Sequence, residues 1–176
     1  MTHKIQLFKP FVNRDEERMI TKVFKSNFWA SGSGIGYVKQ FENLMKKYVG
    51  TNNCVAVSSG TAALNLALSV FDLHNKEVIL PSLSFISTAH AITLNGGIPI
   101  FADINPQTLC IDPNSIKKLV SKKTKMIIPV HFGGLPADLY EIKRICKENN
   151  LYLVEDAAHA SGSVYKKKKI GVLIHY

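Results

Sequence analysis

Long apolar runs are missing from this 176-residue chain, so nothing in the sequence reads as a membrane-spanning helix. The start, Met1-Thr2-His3-Lys4-Ile5-Gln6, has no apolar signal region behind its lysine, and a cytoplasmic address is expected. Cysteine is scarce. Cys54, Cys110 and Cys146 stand far apart with no CxxC pair, which argues for ordinary reduced thiols and against a disulfide framework or a metal site. Acidic residues are few, 13 against 22 Lys and Arg, for a net charge of +9. Such an excess invites a nucleic-acid reading. The lysines are scattered, however. Their one cluster, residues 166–169, has no aromatic residues interleaved, and no nucleic-acid motif is present, so no such partner is expected. Repeats, linkers and low-complexity segments are absent beyond that lysine run. With 46% hydrophobic residues, one domain with a core of its own is expected.

What is present is an alternation of helical and strand patterns. Residues 14–25 place Met19, Ile20, Val23 and Phe24 on one helical face. Val38, Phe41, Leu44, Met45 and Tyr48 repeat that spacing in a second helix, ended by Gly50. Short apolar runs recur at residues 54–57, 78–80, 98–101, 126–130 and 151–154. Most are aliphatic on both faces, as central strands of a parallel sheet are. Helical segments lie between them, at residues 61–71, 86–94, 113–120 and 137–149, with Asp112 as cap and Pro113 in the first turn of the third. The alternation predicts an α/β fold: three αβα layers around a mostly parallel sheet.

Three glycine-bearing loops compete as phosphate cradles. Residues 32–36 (Gly-Ser-Gly-Ile-Gly) follow no strand and lack the GxGxxG spacing. Gly133-Gly134 precedes Pro136 and a turn. Residues 58–61 follow a strand and open a helix, so backbone N–H groups and the helix dipole converge there. Gly60 permits close approach, and the Ser59 and Thr61 hydroxyls can donate hydrogen bonds; a plain helix cap is the competing reading. Asp156 follows a strand expected to be central, at the sheet end where open α/β folds bind ligands. A carboxylate is costly to bury there without a cationic partner. The alternative is a cap for the next segment. His159, three residues on, is either a site residue or an ordinary satisfied histidine.

Taken in order, several blocks resemble the DegT/DnrJ/EryC1/StrS family of pyridoxal-phosphate (PLP) sugar aminotransferases. They are Trp29-Ala30-Ser31-Gly32, Phe41-Glu42, Ser58-Ser59-Gly60-Thr61-Ala62-Ala63-Leu64 and Glu77-Val78-Ile79-Leu80-Pro81-Ser82-Leu83-Ser84-Phe85. Phe101-Ala102-Asp103-Ile104, Thr124-Lys125-Met126-Ile127-Ile128-Pro129-Val130-His131 and Glu155-Asp156-Ala157-Ala158-His159-Ala160 follow. Together they cover nearly all of residues 5–171. The resemblance implies the aspartate-aminotransferase fold (PLP fold type I), with residues 1–176 as the N-terminal part of its large domain and the C-terminal small domain absent. It implies a homodimer and amino transfer from glutamate to a nucleotide-linked keto-sugar, in surface-polysaccharide or amino-sugar biosynthesis. It also implies residue roles. Gly60 and Thr61, beside Ser59, match the phosphate-holding positions. Phe85 matches the aromatic that stacks on the pyridine ring, Asp156 the partner of the ring nitrogen, and His159 a position near the ring's O3′. Trp29 and Ser31 lie in a loop resembling the one near the sugar nucleotide.

The pattern departs from the family after Gly171. In the family a Gly-Lys-Gly-like turn leads into a Ser-Phe strand and then the Schiff-base lysine. Here residues 166–169 match the turn, and the last residues are Val172-Leu173-Ile174-His175-Tyr176. No catalytic lysine is therefore identified, and no covalent cofactor link is expected. The expectation is a truncated, inactive chain that keeps the cofactor half of the site. Its rival is a non-catalytic remnant or subunit that binds a full-length homologue. Family relatives with histidine in place of the lysine are sugar dehydratases, but His175 comes too early to match that position.

Overall fold

The computed structural model describes residues 10–29 and 36–171. The chain divides into two compact units, residues 1–44 and 45–176.

In the first unit, α1 (Arg14–Lys25) starts at a capping box. The Asn13 side chain accepts the Asp15 amide at 2.6 Å, and the Asn13 amide donates to Glu16 Oε2 at 2.7 Å. Acids fill the first turn and Lys22 and Lys25 the last, both favourable to the helix dipole. Met19, Ile20, Val23 and Phe24 form the expected stripe, and with Trp29 they line a shallow cavity of about 470 Å³. Helix α2 (Tyr37–Val49) runs on to Gly50, whose φ of 88° ends it, with the Gly50 amide donating back to Lys46 O at 2.9 Å.

The second unit is built on four parallel strands, β1 (Glu77–Pro81), β2 (Ile98–Ala102), β3 (Thr124–Ile127) and β4 (Tyr152–Leu153), in the order β2-β1-β3-β4. Four helices accompany them: α3 (Gly60–Leu68), α4 (Ile86–Leu94), α5 (Pro113–Leu119) and α6 (Leu139–Asn149). Strand side chains alternate between faces, and here both faces are apolar. Ile79, Ile127 and Leu153 pack with Ile116 of α5 and Ile142 and Ile145 of α6. Their neighbours Val78, Leu80, Met126, Ile128 and Val154 pack on the other side with Leu64 and Leu68 of α3 and Ile92 of α4. This is the three-layer arrangement that the aliphatic runs predict. A hairpin of β5 (Val164–Tyr165) and β6 (Lys168–Lys169) follows.

Several boundaries differ from the sequence reading. Among the described residues the run at residues 54–57 is not a strand of the sheet, and Val55 is 68% exposed. Apolar content suits a run to a strand, but ladder pairing is what makes it one. Helix α3 stops at Leu68 and α6 starts only at Leu139, after Pro136 and a cap in which Asp138 accepts the Glu141 amide. Asp112 caps α5 as expected, accepting the Asn114 amide at 2.9 Å. Between α4 and β2 the chain turns through Gly97, where a Cβ would stand 2.8 Å from the Ile92 side chain, so the close approach needs glycine. The lysine run is also not bare of aromatics in space. Lys166 Nζ lies 4.2 Å from the centre of the Tyr140 ring, and Lys169 Nζ lies 3.3 Å from that of Tyr48.

Ile79 is wholly buried. Ile79→Ala is expected to cost about 2–5 kcal/mol and Ile79→Val about 0.5–1.5, read from urea denaturation; equal, negligible losses would contradict this packing. A second expectation concerns alkaline pH. Burial pushes the Cys146 thiol from 9.0 up to about 12. The folded chain thus keeps a proton that the unfolded chain releases near 9. The associated stability is complete below that pH and is lost as pH rises toward 12. Urea midpoints at about pH 8 and 10.5 should fall with pH, and Cys146→Ala should flatten part of that slope.

Candidate functional site

Parallel strands direct their C-terminal ends to one side of the sheet, and the candidate residues follow those ends. Asp156 lies just past β4. Its amide donates to Pro129 O at 2.9 Å, and its carbonyl accepts the His131 amide at 3.2 Å, a parallel bridge that extends the β3–β4 pairing. The Asp156 carboxylate is buried. Thr88 Oγ1, in the first turn of α4, donates to its Oδ2 at 2.8 Å, and the Ala158 amide donates to its Oδ1 at 3.2 Å. Thr88 has one hydroxyl hydrogen and gives it to Asp156. Ser84 Oγ lies 2.8 Å from Thr88 Oγ1 and 3.1 Å from Phe85 O, so its one hydrogen is shared between these two acceptors. The Asp156 carboxylate is thus held by a side chain from another layer, a tie that a plain cap does not require.

Phe85 is the N-cap residue of α4, one turn before Thr88, and the residue is 74% exposed. An aromatic ring left in the open beside an ordered carboxylate string is available as a stacking surface. His159 is exposed; its Nδ1 accepts the Gly133 amide at 3.3 Å, and its ring meets Phe132 edge-on at 5.8 Å. Gly134 has a φ of 86°, and a Cβ there would come within 3.0 Å of His159 O, so this glycine permits the loop to lie against the histidine.

Ser59 caps α3, its Oγ accepting the Ala62 amide at 3.1 Å. The capping reading is therefore real. It does not exhaust the loop, because the Gly60 and Thr61 amides make no hydrogen bond within the described residues. Both residues are exposed, and a Cβ on Gly60 would meet nothing within 4 Å. Two unspent donors at a helix start, with room in front of them, suit an anion.

Hydrogen bonds join Ser84, Thr88 and Asp156 in one string and Gly133 and His159 in a second; Ser59, Gly60 and Thr61 lie on neither. Trp29 belongs to the first unit, stacked on Phe24 at 5.8 Å with its Nε1 donating to Phe24 O at 3.1 Å. Ser31, most of the 32–36 loop and His175 lie outside the described residues. Sequence reasoning gave no role to Thr88, Ser84, Glu155 or His131. Two signals were available: a hydroxyl one turn after Phe85, and a second acid directly before Asp156. No cluster of three or more His, Cys, Asp or Glu able to hold a metal occurs among the described residues.

Known proteins share this architecture. The chain is 38% identical over 170 residues to the spore coat polysaccharide biosynthesis protein SpsC of Bacillus subtilis, covering 96% of this chain and 43% of that protein. The crystal structure of 3-amino-5-hydroxybenzoic acid synthase superposes with a TM-score of 0.87 at 32% identity, over 92% of this chain and 42% of that one. The E. coli GDP-4-keto-6-deoxy-D-mannose-3-dehydratase with bound hydrated PLP gives 0.84 at 30% identity, over 94% and 43%. The fold is the PLP fold type I expected from the sequence. The chain spans under half the length of these relatives. A family model matches residues 10–175, and with it the chain belongs to the DegT/DnrJ/EryC1/StrS aminotransferase family.

Proposed function

We propose that this chain forms the N-terminal, cofactor-holding part of a PLP-dependent aminotransferase that moves an amino group from glutamate to a nucleotide-linked keto-sugar, in polysaccharide or amino-sugar biosynthesis. The observation that carries the reading is the buried Asp156 carboxylate, held by Thr88 and the Ala158 amide past the end of β4. The residues present fit the cofactor. The unspent Gly60 and Thr61 amides would hold its phosphate, with the Ser59 and Thr61 hydroxyls beside them. Phe85 would offer its open ring to the pyridine face. Asp156 would keep a proton on the pyridine nitrogen, and His159 would face the ring's polar edge. When bound, PLP supplies an electron sink for the substrate's reacting carbon, and its strength depends on that proton.

Asp156 therefore acts on charge. Two donors engage its oxygens, and the negative charge would favour a protonated nitrogen beside it. No lysine among the described residues is assigned to a covalent link. Pairing as a homodimer and the family's sugar-nucleotide contacts at Trp29 and Ser31 belong to the same proposal. The dehydratase among the structural relatives favours a second reading, in which the same cofactor site serves loss of a sugar hydroxyl.

The test is a titration of the purified chain with PLP. One reversible equivalent is expected, with no pyridoxyl-lysine after borohydride reduction and mass spectrometry. Gly60→Asp sets a carboxylate before the phosphate. At about 4 Å and an effective dielectric near 20 the repulsion is roughly 4 kcal/mol, so affinity should fall at least tenfold. Asp156→Asn should lower affinity less, since an amide can donate to an unprotonated nitrogen, yet it should abolish the protonated-pyridine signal of ¹⁵N-labelled PLP. Absence of PLP binding, or indifference to both substitutions, would reject the reading.

A further inference from the structure

Glu155 and Asp156 are consecutive acids at the end of one strand, and extended backbone sends their side chains to opposite faces. Asp156 meets Thr88 of α4. Glu155 turns the other way and reaches His131, which follows β3. The Glu155 Oε2 to His131 Nε2 distance is 2.8 Å, and the two side chains are 4% and 0% exposed. The Ala137 amide donates to His131 Nδ1 at 3.1 Å. The ring proton therefore sits on Nε2 and is donated to Glu155. The backbone beside the pair is joined as well, since the His131 amide donates to Asp156 O and the Asp156 amide to Pro129 O.

We propose that His131 and Glu155 form a buried positioning couple that aims the Asp156 carboxylate. The backbone bridge alone fixes the height of Asp156 along the sheet, but it leaves the strand end free to roll about its axis. A roll swings residues 155 and 156 together, in opposite senses. Anchoring Glu155 to an imidazole that is itself held at both ends stops that roll, so Asp156 is left directed at Thr88. A buried acid–imidazole pair is no better for stability than an apolar pair of equal volume. What it adds is direction. Glu155 Oε1 has no hydrogen-bond partner among the described residues, so the His131 bond is the carboxylate's one directional tie there. The nearby cation is Lys143 of α6. Burial lowers its pKa, and the attraction of Glu155 partly restores it.

The couple's part in cofactor binding rests on the PLP reading above, but its effect on Asp156 does not. The Ala158 amide, which donates to Asp156 Oδ1, reports the carboxylate directly through hydrogen exchange of the chain without cofactor. The Ile116 amide of α5, donating to Asp112 O, serves as a reference in another element. Glu155→Leu removes the acceptor, and Glu155→Gln keeps an oxygen for the His131 N–H. In Glu155→Leu, exchange at Ala158 and Asp156 should quicken at least tenfold with Ile116 unchanged, and Glu155→Gln should restore it to within about threefold. PLP affinity, measured in parallel, should follow the same order. Equal acceleration at Ile116 in Glu155→Leu, or no acceleration at Ala158, overturns the proposal. If Glu155→Leu does not fold, His131→Asn decides by the same two amides. Its oxygen can still accept the Ala137 amide, but its side chain is too short for Glu155. If the exchange pattern appears and PLP does not bind, the couple stands and the cofactor reading falls.

Discussion

Two backbone hydrogen bonds at the end of the sheet, Asp156 N–H to Pro129 O and His131 N–H to Asp156 O, carry the arrangement of the site. They prolong the β3–β4 pairing past the formal strand ends, where chains ordinarily part into loops. Without them Asp156 would belong to a loop, and burial of a carboxylate there would have no geometric guarantor. With them, one strand end delivers two acids, one toward α4 and the other toward the interior behind β3. The core supports this because β1 and β3 are packed on both faces. Strands clamped that way have little freedom to shift register, since a one-residue slip would exchange the two apolar layers.

The site is also economical in its elements. Helix α4 contributes Phe85 before its first turn and Thr88 within it. The loop after β3 contributes Gly133 to His159 and His131 to Glu155. Each contributor begins where a strand ends. The side chains that converge thus come from sequence positions 70 or so residues apart without any long excursion of the chain. Helix α3 also offers its start, with two amides unspent, although the run before it is not a strand of this sheet.

Much of this was legible in the sequence because it is local. Aliphatic residues on both faces of residues 78–80 and 126–128 signal strands covered on both sides, and Asp112-Pro113 marks a helix start. Asp156 stood out because an acid after an apolar strand needs a reason. What escaped was the non-local part. The Cys54 to Val57 stretch has strand composition and no place in the four-strand sheet, since composition does not report pairing. Thr88 looked like any helix hydroxyl, and its partner is 68 residues away. The lysine run showed no interleaved aromatics because its tyrosines are distant in sequence, except for Tyr165 beside it.

That hairpin shows an inversion of the usual order of cause. Two-residue turns of this kind commonly carry asparagine and glycine, which accept positive φ readily. Here Lys166 and Lys167 occupy the turn at φ 46° and 69°. The turn therefore does not dictate the hairpin. It is imposed from outside, by Lys166 over Tyr140, by Lys169 donating to Tyr48 O at 2.8 Å, and by the Tyr165 hydroxyl donating to Asp138 at 3.1 Å. The conformation of this turn is thus a property of its surroundings, held by Tyr48 near the end of α2 and by Asp138 and Tyr140 at the start of α6.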